Sequence, residues 1–270
     1  MVGDFLYGSI RTYSAFVSLS VLVGVLVIAF AAWRTGLSVW RIVLLALGIA
    51  LTALVGAKLW GLVEENSFAR LAWVNLVSGF RYPGALAGVL VGLVVWRRVL
   101  FPQVSVAALG DLIAPAMGFA EAVGRVGCFL SGCCFGRVST LPWAICFPRN
   151  SPAYRFQGLH GLLSGDPARS LPVHPLQLYF LGLALGLGIL CLRLQRHQRY
   201  DGQVLLVFVA VHEWGKFLLE FLRFPAAPDA TVYLHAAALV AALFATAVLL
   251  HRRDTARLPA ERVRLELGAP

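Results

Sequence analysis

Charge is what this chain has least of: only 13% of its 270 residues are Asp, Glu, Lys or Arg, against roughly 25% in an ordinary soluble domain. With 59% hydrophobic residues beside that shortage, a soluble globular protein is excluded. A mean hydropathy of +0.79 also excludes a disordered or nucleic-acid-binding tail protein, because such chains stay open through low hydrophobicity. Met1 to Tyr7 has neither a basic stretch nor a small-residue cleavage site before a short apolar core, so a cleaved signal peptide is not expected. A C-x-x-C pair is missing among the five cysteines, and no repeat of spanning length is visible. What remains is a polytopic membrane protein.

Apolar runs of spanning length fall at 12–33, 39–63, 83–101, 107–131, 175–195, 203–223 and 232–251. The expected fold is therefore an all-α integral membrane protein of seven transmembrane helices. Its spanning domain covers residues 1–251, with a head of about 132–174 between the fourth and fifth helices and a basic tail at 252–270. Orientation follows from the arginines, which are retained on the cytoplasmic side. With the N-terminus outside, the inner segments hold Arg34, Arg41, Arg97, Arg98, Arg193, Arg196, Arg199, Arg252, Arg253, Arg257, Arg262 and Arg264, which is 12 of the 23 cations. The C-terminus is then cytoplasmic. The net charge of +10 is spread over separate helix ends, so topology and not nucleic acid accounts for it.

Ionisable side chains at mid-membrane are costly, about 3 kcal/mol each on insertion scales, and are functional candidates by default. The fourth helix carries Glu121 and Arg125 one turn apart, on one face. On the sixth, His212, Lys216, Glu220 and Arg223 share a stripe, with Glu213 beside it. Arg11 and Tyr13 on the first helix, and His174, Gln177 and Tyr179 entering the fifth, are expected at the same depth, near the outer leaflet. Cations outnumber carboxylates there: Arg11, Arg125, Lys216 and Arg223 face one clear partner, Glu220. Such an excess suits an anion, and Arg grips phosphate through paired hydrogen bonds. The plainer reading, that these charges neutralise one another for insertion, stands beside it.

The run Gly124-Arg125-Val126-Gly127-Cys128-Phe129-Leu130-Ser131-Gly132-Cys133-Cys134-Phe135-Gly136 resembles the signature of bacterial prolipoprotein diacylglyceryl transferases, Gly-Arg-x-Gly-Asn-Phe-x-Asn-x-Glu-x-x-Gly. Cys128 and Ser131 stand at its Asn positions and Cys133 at its Glu. Ile10 to Ser14, His174 to Tyr179 and Glu220 to Arg223 resemble further segments of that family, in order. Pro83-Gly84-Ala85-Leu86 stands where the family commonly has His-Gly-Gly-Leu, and Lys216 where it often has Arg.

The resemblance implies transfer of a diacylglyceryl group from phosphatidylglycerol to the lipobox cysteine thiol of a preprolipoprotein, in the bacterial inner membrane with the site toward the outer leaflet. Membrane lipid and lipobox peptides are the implied partners. Such chemistry needs a thiolate and stabilisation of a leaving phosphate. Arg125, His174, Lys216 and Glu220 are the catalytic candidates: Arg125 for the phosphate, His174 or Glu220 as general base. Tyr13, Arg11, Gly124, Gly136, Gln177, Tyr179 and Arg223, with Arg125, are the substrate-binding candidates, although a Tyr also suits the interfacial belt.

No cofactor or metal is expected. On a continuous helix, residues five apart differ by about 140°, which would point Cys128 and Cys133 to different faces. Cys133 and Cys134 are adjacent, unlike zinc-site pairs. A disulfide from Cys146 to Cys133 or Cys134 is a candidate, and Cys191 reads as lipid-facing or packed filler. The alternatives are a related phospholipid-dependent transferase with a different acceptor, a membrane thiol-redox protein using Cys128, Cys133 and Cys134, or a transporter with an anion site at Arg125 and Lys216. No inverted repeat supports the last.

Overall fold

The computed structural model describes residues 10–64, 82–165 and 167–223, with the isolated positions 240 and 244. Among them lie seven helices: α1 Ile10–Arg34, α2 Val39–Glu64, α3 Tyr82–Leu100, α4 Val106–Leu130, α5 Pro152–Leu159, α6 Leu176–Gln195 and α7 Gln203–Glu220. Six of them coincide with expected spans. The run at 232–251 lies outside the described residues. Four segments, Tyr13–Arg34, Val39–Val63, Val106–Leu130 and Leu176–Gln195, are long and apolar enough to cross a membrane. α7 carries more charge for its length, through Glu213, Lys216 and Glu220. Large apolar side chains stand exposed along the helices, Leu22, Leu26, Phe30 and Trp33 on α1 among them, as lipid contact requires. The protein is a multi-pass membrane protein.

The chain divides into two compact units, Met1–Gly24, Ala114–Gln198 and Gln203–Arg257 in one, Val25–Ile113, Arg199–Gly202 and Leu258–Pro270 in the other. Within the second, α2 and α3 approach backbone to backbone. A Cβ on Gly84 would strike the Gly56 carbonyl, one on Gly88 the Thr52 carbonyl, and one on Gly92 the Thr52 hydroxyl. Small residues every fourth position permit such contact where lipid offers no hydrophobic drive. Ser105 caps α4, its Oγ accepting from Ala108 N at 3.0 Å and donating to Asp201 at 2.9 Å. Asp111, buried in α4, accepts from Gly202 N at 2.6 Å.

In the first unit, α4, α6 and α7 share a core of Ala114, Leu187, Cys191, Val204 and Phe208. Cys191 is thus packed filler, fully buried. Gly118 lets α4 cross α6 against Ala184 O and Gly188 N, each 2.7 Å from where a Cβ would stand. The head has its own core, Phe135, Phe147, Ala153 and Val173, with Phe129 and Phe156 against it. Isolated bridges join Val138 and Ile145 to Val173, and Pro148 to Arg169.

The short α5 inside the head was not expected from hydropathy. Ser151 caps it, accepting from Tyr154 N at 3.1 Å, and Pro152 opens it. Gln157 on α5 is fully buried and stands in for a strand, its Oε1 accepting from Leu171 N at 2.7 Å and its Nε2 donating to Leu171 O at 3.4 Å. Gln157→Ala takes the partner from Leu171 N, while Leu171 O keeps the Ser170 hydroxyl at 2.9 Å. The expected cost of the substitution is about 1–3 kcal/mol, read as a lowered Tm of the detergent-solubilised protein.

Candidate active site

Two helices and the end of a third supply the polar groups. On α4, the Nη2 and Nε of Arg125 donate to Oε1 of Glu121 at 2.6 and 3.1 Å. The guanidinium lies over the Phe180 ring of α6, 4.3 Å from its centroid, and Nη1 has no hydrogen-bond partner among the described residues. The other carboxylate oxygen of Glu121 is 2.7 Å from His212 Nε2, and His212 Nδ1 is 2.9 Å from Glu213. Lys216 is buried with Glu213, Glu121, Arg125 and Glu220 as charged neighbours. At the end of α7, Arg223 forms an ion pair with Glu220.

These contacts correct the expectation that Glu220 is the one clear partner of the cations. Among the described residues, Glu121, Glu213 and Glu220 answer Arg125, Lys216 and Arg223, with His212 between Glu121 and Glu213. Sequence depth alone set Glu121 and Glu213 aside. The packing of α4 on α7 brings them in, because His212 is one turn before Lys216 and reaches across to α4.

The signature run continues from α4 into a turn. Gly132, at φ +65°, ends the helix, with Gly132 N donating to Phe129 O at 3.1 Å and Cys133 N to Cys128 O at 3.2 Å. This glycine C-cap sets the second residue past the cap against the third-last residue of the helix. Cys133 thus meets Cys128. Cys134, also left-handed at φ 56°, adds its thiol, and the three sulfurs lie within 4.8 Å of one another. The expectation that Cys128 and Cys133 point apart is corrected: it assumed a helix continuing through Gly132. Hydrogen bonds from Cys128 and Cys133 hold the Cys134 thiol well below the usual thiol range, helped by the Arg223 and Arg125 guanidiniums. Cys133, bonded to Cys128 and Cys134, is pushed up in turn. None of the five cysteines is in a disulfide, and Cys146 is exposed, so the disulfide to Cys133 or Cys134 is not formed.

Gln177, fully buried at the start of α6, donates to Cys133 O at 2.5 Å. His174 Nδ1 is 3.3 Å from the Tyr179 hydroxyl, which accepts from Trp143 Nε1 at 2.7 Å. Tyr13 lies beside the thiols and Arg125. Gly136 threads between two chains, its N donating to His174 O at 3.0 Å while the next residue, Arg137, donates to Leu222 O at 2.7 Å. Gly124 faces Ser20 of α1, 4.0 Å from where a Cβ would stand, and serves helix packing. The side chain of Arg11 lies outside the described residues.

The family model for prolipoprotein diacylglyceryl transferase matches residues 4–251. The chain belongs to that family. A phosphatidylglycerol–prolipoprotein diacylglyceryl transferase 2 of Clostridium perfringens is 23% identical over 227 residues, 83% of this chain and 82% of the relative. A phosphatidylglycerol–prolipoprotein diacylglyceryl transferase of Clostridium tetani is 26% identical over 78% of this chain and 80% of its own length. One of Geobacter sulfurreducens is 29% identical over 80% of this chain and 78% of its own. Family membership makes the chain a transferase of lipoprotein biosynthesis.

Proposed function

We propose that this chain moves the diacylglyceryl group of phosphatidylglycerol onto the lipobox cysteine thiol of preprolipoproteins, forming a thioether and releasing glycerol phosphate. The observation that carries the reading is Arg125. Its guanidinium is fixed on one side by Glu121 and on one face by Phe180, with Nη1 unused among the described residues. That is a preorganised donor for a phosphate oxygen that gains charge as the C–O bond breaks. Arg223 and Lys216 lend further positive charge. His174, placed by Tyr179, is the base for the acceptor thiol, and its Nε2 has no partner among the described residues. Tyr13 and Gln177 border the thiol and lipid positions, and Gly136 holds His174 beside the end of α7.

The arginine bias supports a topology of seven spans with the N-terminus outside, the C-terminus cytoplasmic and the site toward the outer leaflet of the bacterial inner membrane. A single spanning domain with a basic tail fits that arrangement. Complementation of a conditional diacylglyceryl transferase depletion strain tests the activity. Restored lipoprotein processing is the expected result. Correctly inserted protein without rescue would turn the reading to a different acceptor on the same phospholipid chemistry.

A further inference from the structure

Three thiols converge at the end of α4, and the diacylglyceryl transfer outlined above uses none of them. Cys128 is buried, while Cys133 and Cys134 are half-buried. Their sulfurs, within 4.8 Å of one another, need to close by only about 1 Å to reach the spacing of about 3.8 Å that three ligands take around a tetrahedral zinc with Zn–S bonds of about 2.3 Å. The arrangement is held by backbone hydrogen bonds at Gly132 and Cys133 and by Gln177 on the Cys133 carbonyl. It also keeps Cys134 in a conformation that a non-glycine residue adopts at some cost. A disulfide would consume two of the thiols and leave the third without a role. Two of the three positions at which this chain departs from the family signature, Cys128 and Cys133, belong to the cluster.

We propose that Cys128, Cys133 and Cys134 form a Zn2+ site whose fourth position is open to the thiol of the acceptor peptide. Binding of the ion displaces the protons of the three thiols and leaves a net charge of −1 on the Zn(Cys)3 unit. Arg125 and Arg223, both electrostatic neighbours of Cys134, offset that charge. Three protein ligands with a vacant position are the pattern of catalytic zinc, whereas structural sites fill all four. An acceptor thiol entering that position gives its proton to His174, the base assigned above, since coordination deprotonates a thiol outright. Its sulfur lone pair then forms the bond to the glycerol carbon while the C–O electron pair leaves on the phosphate oxygen. The role of the open position rests on the transferase reading; the metal site does not.

The full-length protein in detergent, reduced, stripped with a chelator and re-supplied with Zn2+, provides the test. One ion per chain is expected by elemental analysis after buffer exchange. Zinc should protect Cys128, Cys133 and Cys134 from alkylation and leave Cys146 reactive. Co2+ in place of Zn2+ should give thiolate-to-metal charge-transfer absorption, lost in C128S, C133S and C134S and kept in C146S. A lipobox peptide should shift the cobalt bands, and its Cys→Ser counterpart should not. Equal alkylation of the cluster with and without zinc in the wild-type protein would overturn the proposal even if the serine variants misfold. So would a disulfide within the cluster that persists under the reducing conditions. Metal retained with bands indifferent to the peptide would overturn the open position. Metal and peptide responses intact alongside failed complementation would overturn the transferase reading and leave the site standing.

Discussion

Arg125→Ala is expected to lower kcat/KM for diacylglyceryl transfer about a hundred- to a thousandfold, the loss that removal of one preorganised oxyanion donor produces. Arg125→Lys should recover only a small part, because an ammonium is a point charge without the flat fork that holds both Glu121 and a phosphate oxygen. A purely structural role for Arg125 makes a different prediction. Its removal leaves the Glu121 carboxylate with His212 as its remaining partner, which costs stability. The double variant Arg125→Ala/Glu121→Gln removes that unpaired charge. It should regain thermal stability in detergent without regaining turnover of phosphatidylglycerol in mixed micelles. Activity returning with stability would remove Arg125 from the chemistry.

The largest effect on folding is expected at Gly136. A Cβ there would stand 2.6 Å from His174 Cβ and 2.8 Å from Leu222 O, distances that real contacts do not reach. Backbone on both sides carries hydrogen bonds, so neither neighbour yields without breaking the Gly136–His174 or Arg137–Leu222 link. Gly136→Val should therefore cost about 3 kcal/mol or more, lowering Tm and the yield of monodisperse protein. Transfer activity should fall with it, since the same links place His174 and Arg223. Gly124→Ala, whose new methyl would meet only Ser20 at contact distance, should be mild on both measures.

Helix positions were legible in the sequence because apolar runs must match the bilayer. The run read at 39–63 is α2 at Val39–Glu64, and that at 107–131 is α4 at Val106–Leu130. The Glu121–Arg125 contact was legible for the same kind of reason, being one helical turn long. The link from His212 to Glu121 was not, since it joins residues on different helices whose mutual rotation no periodicity records. The thiol cluster lies between these cases. Its signal was present in Gly132, the residue that ends a helix in the left-handed conformation and folds the next side chain back. A helix drawn through that glycine hid it. α5 also left a local trace, Ser151 followed by Pro152, which hydropathy does not weigh.

The glycine face between α2 and α3 has a consequence for the order of events during synthesis. Its contacts join Gly48, Thr52 and Gly56 to Gly84, Gly88, Gly92 and Trp96, so all of them exist once the chain has been made as far as Leu100. Glu121, the first residue of the polar network, has not been translated at that point. The ribosome thus delivers an apolar helix pair that closes on itself by shape before it delivers the charges that depend on one another to enter the bilayer.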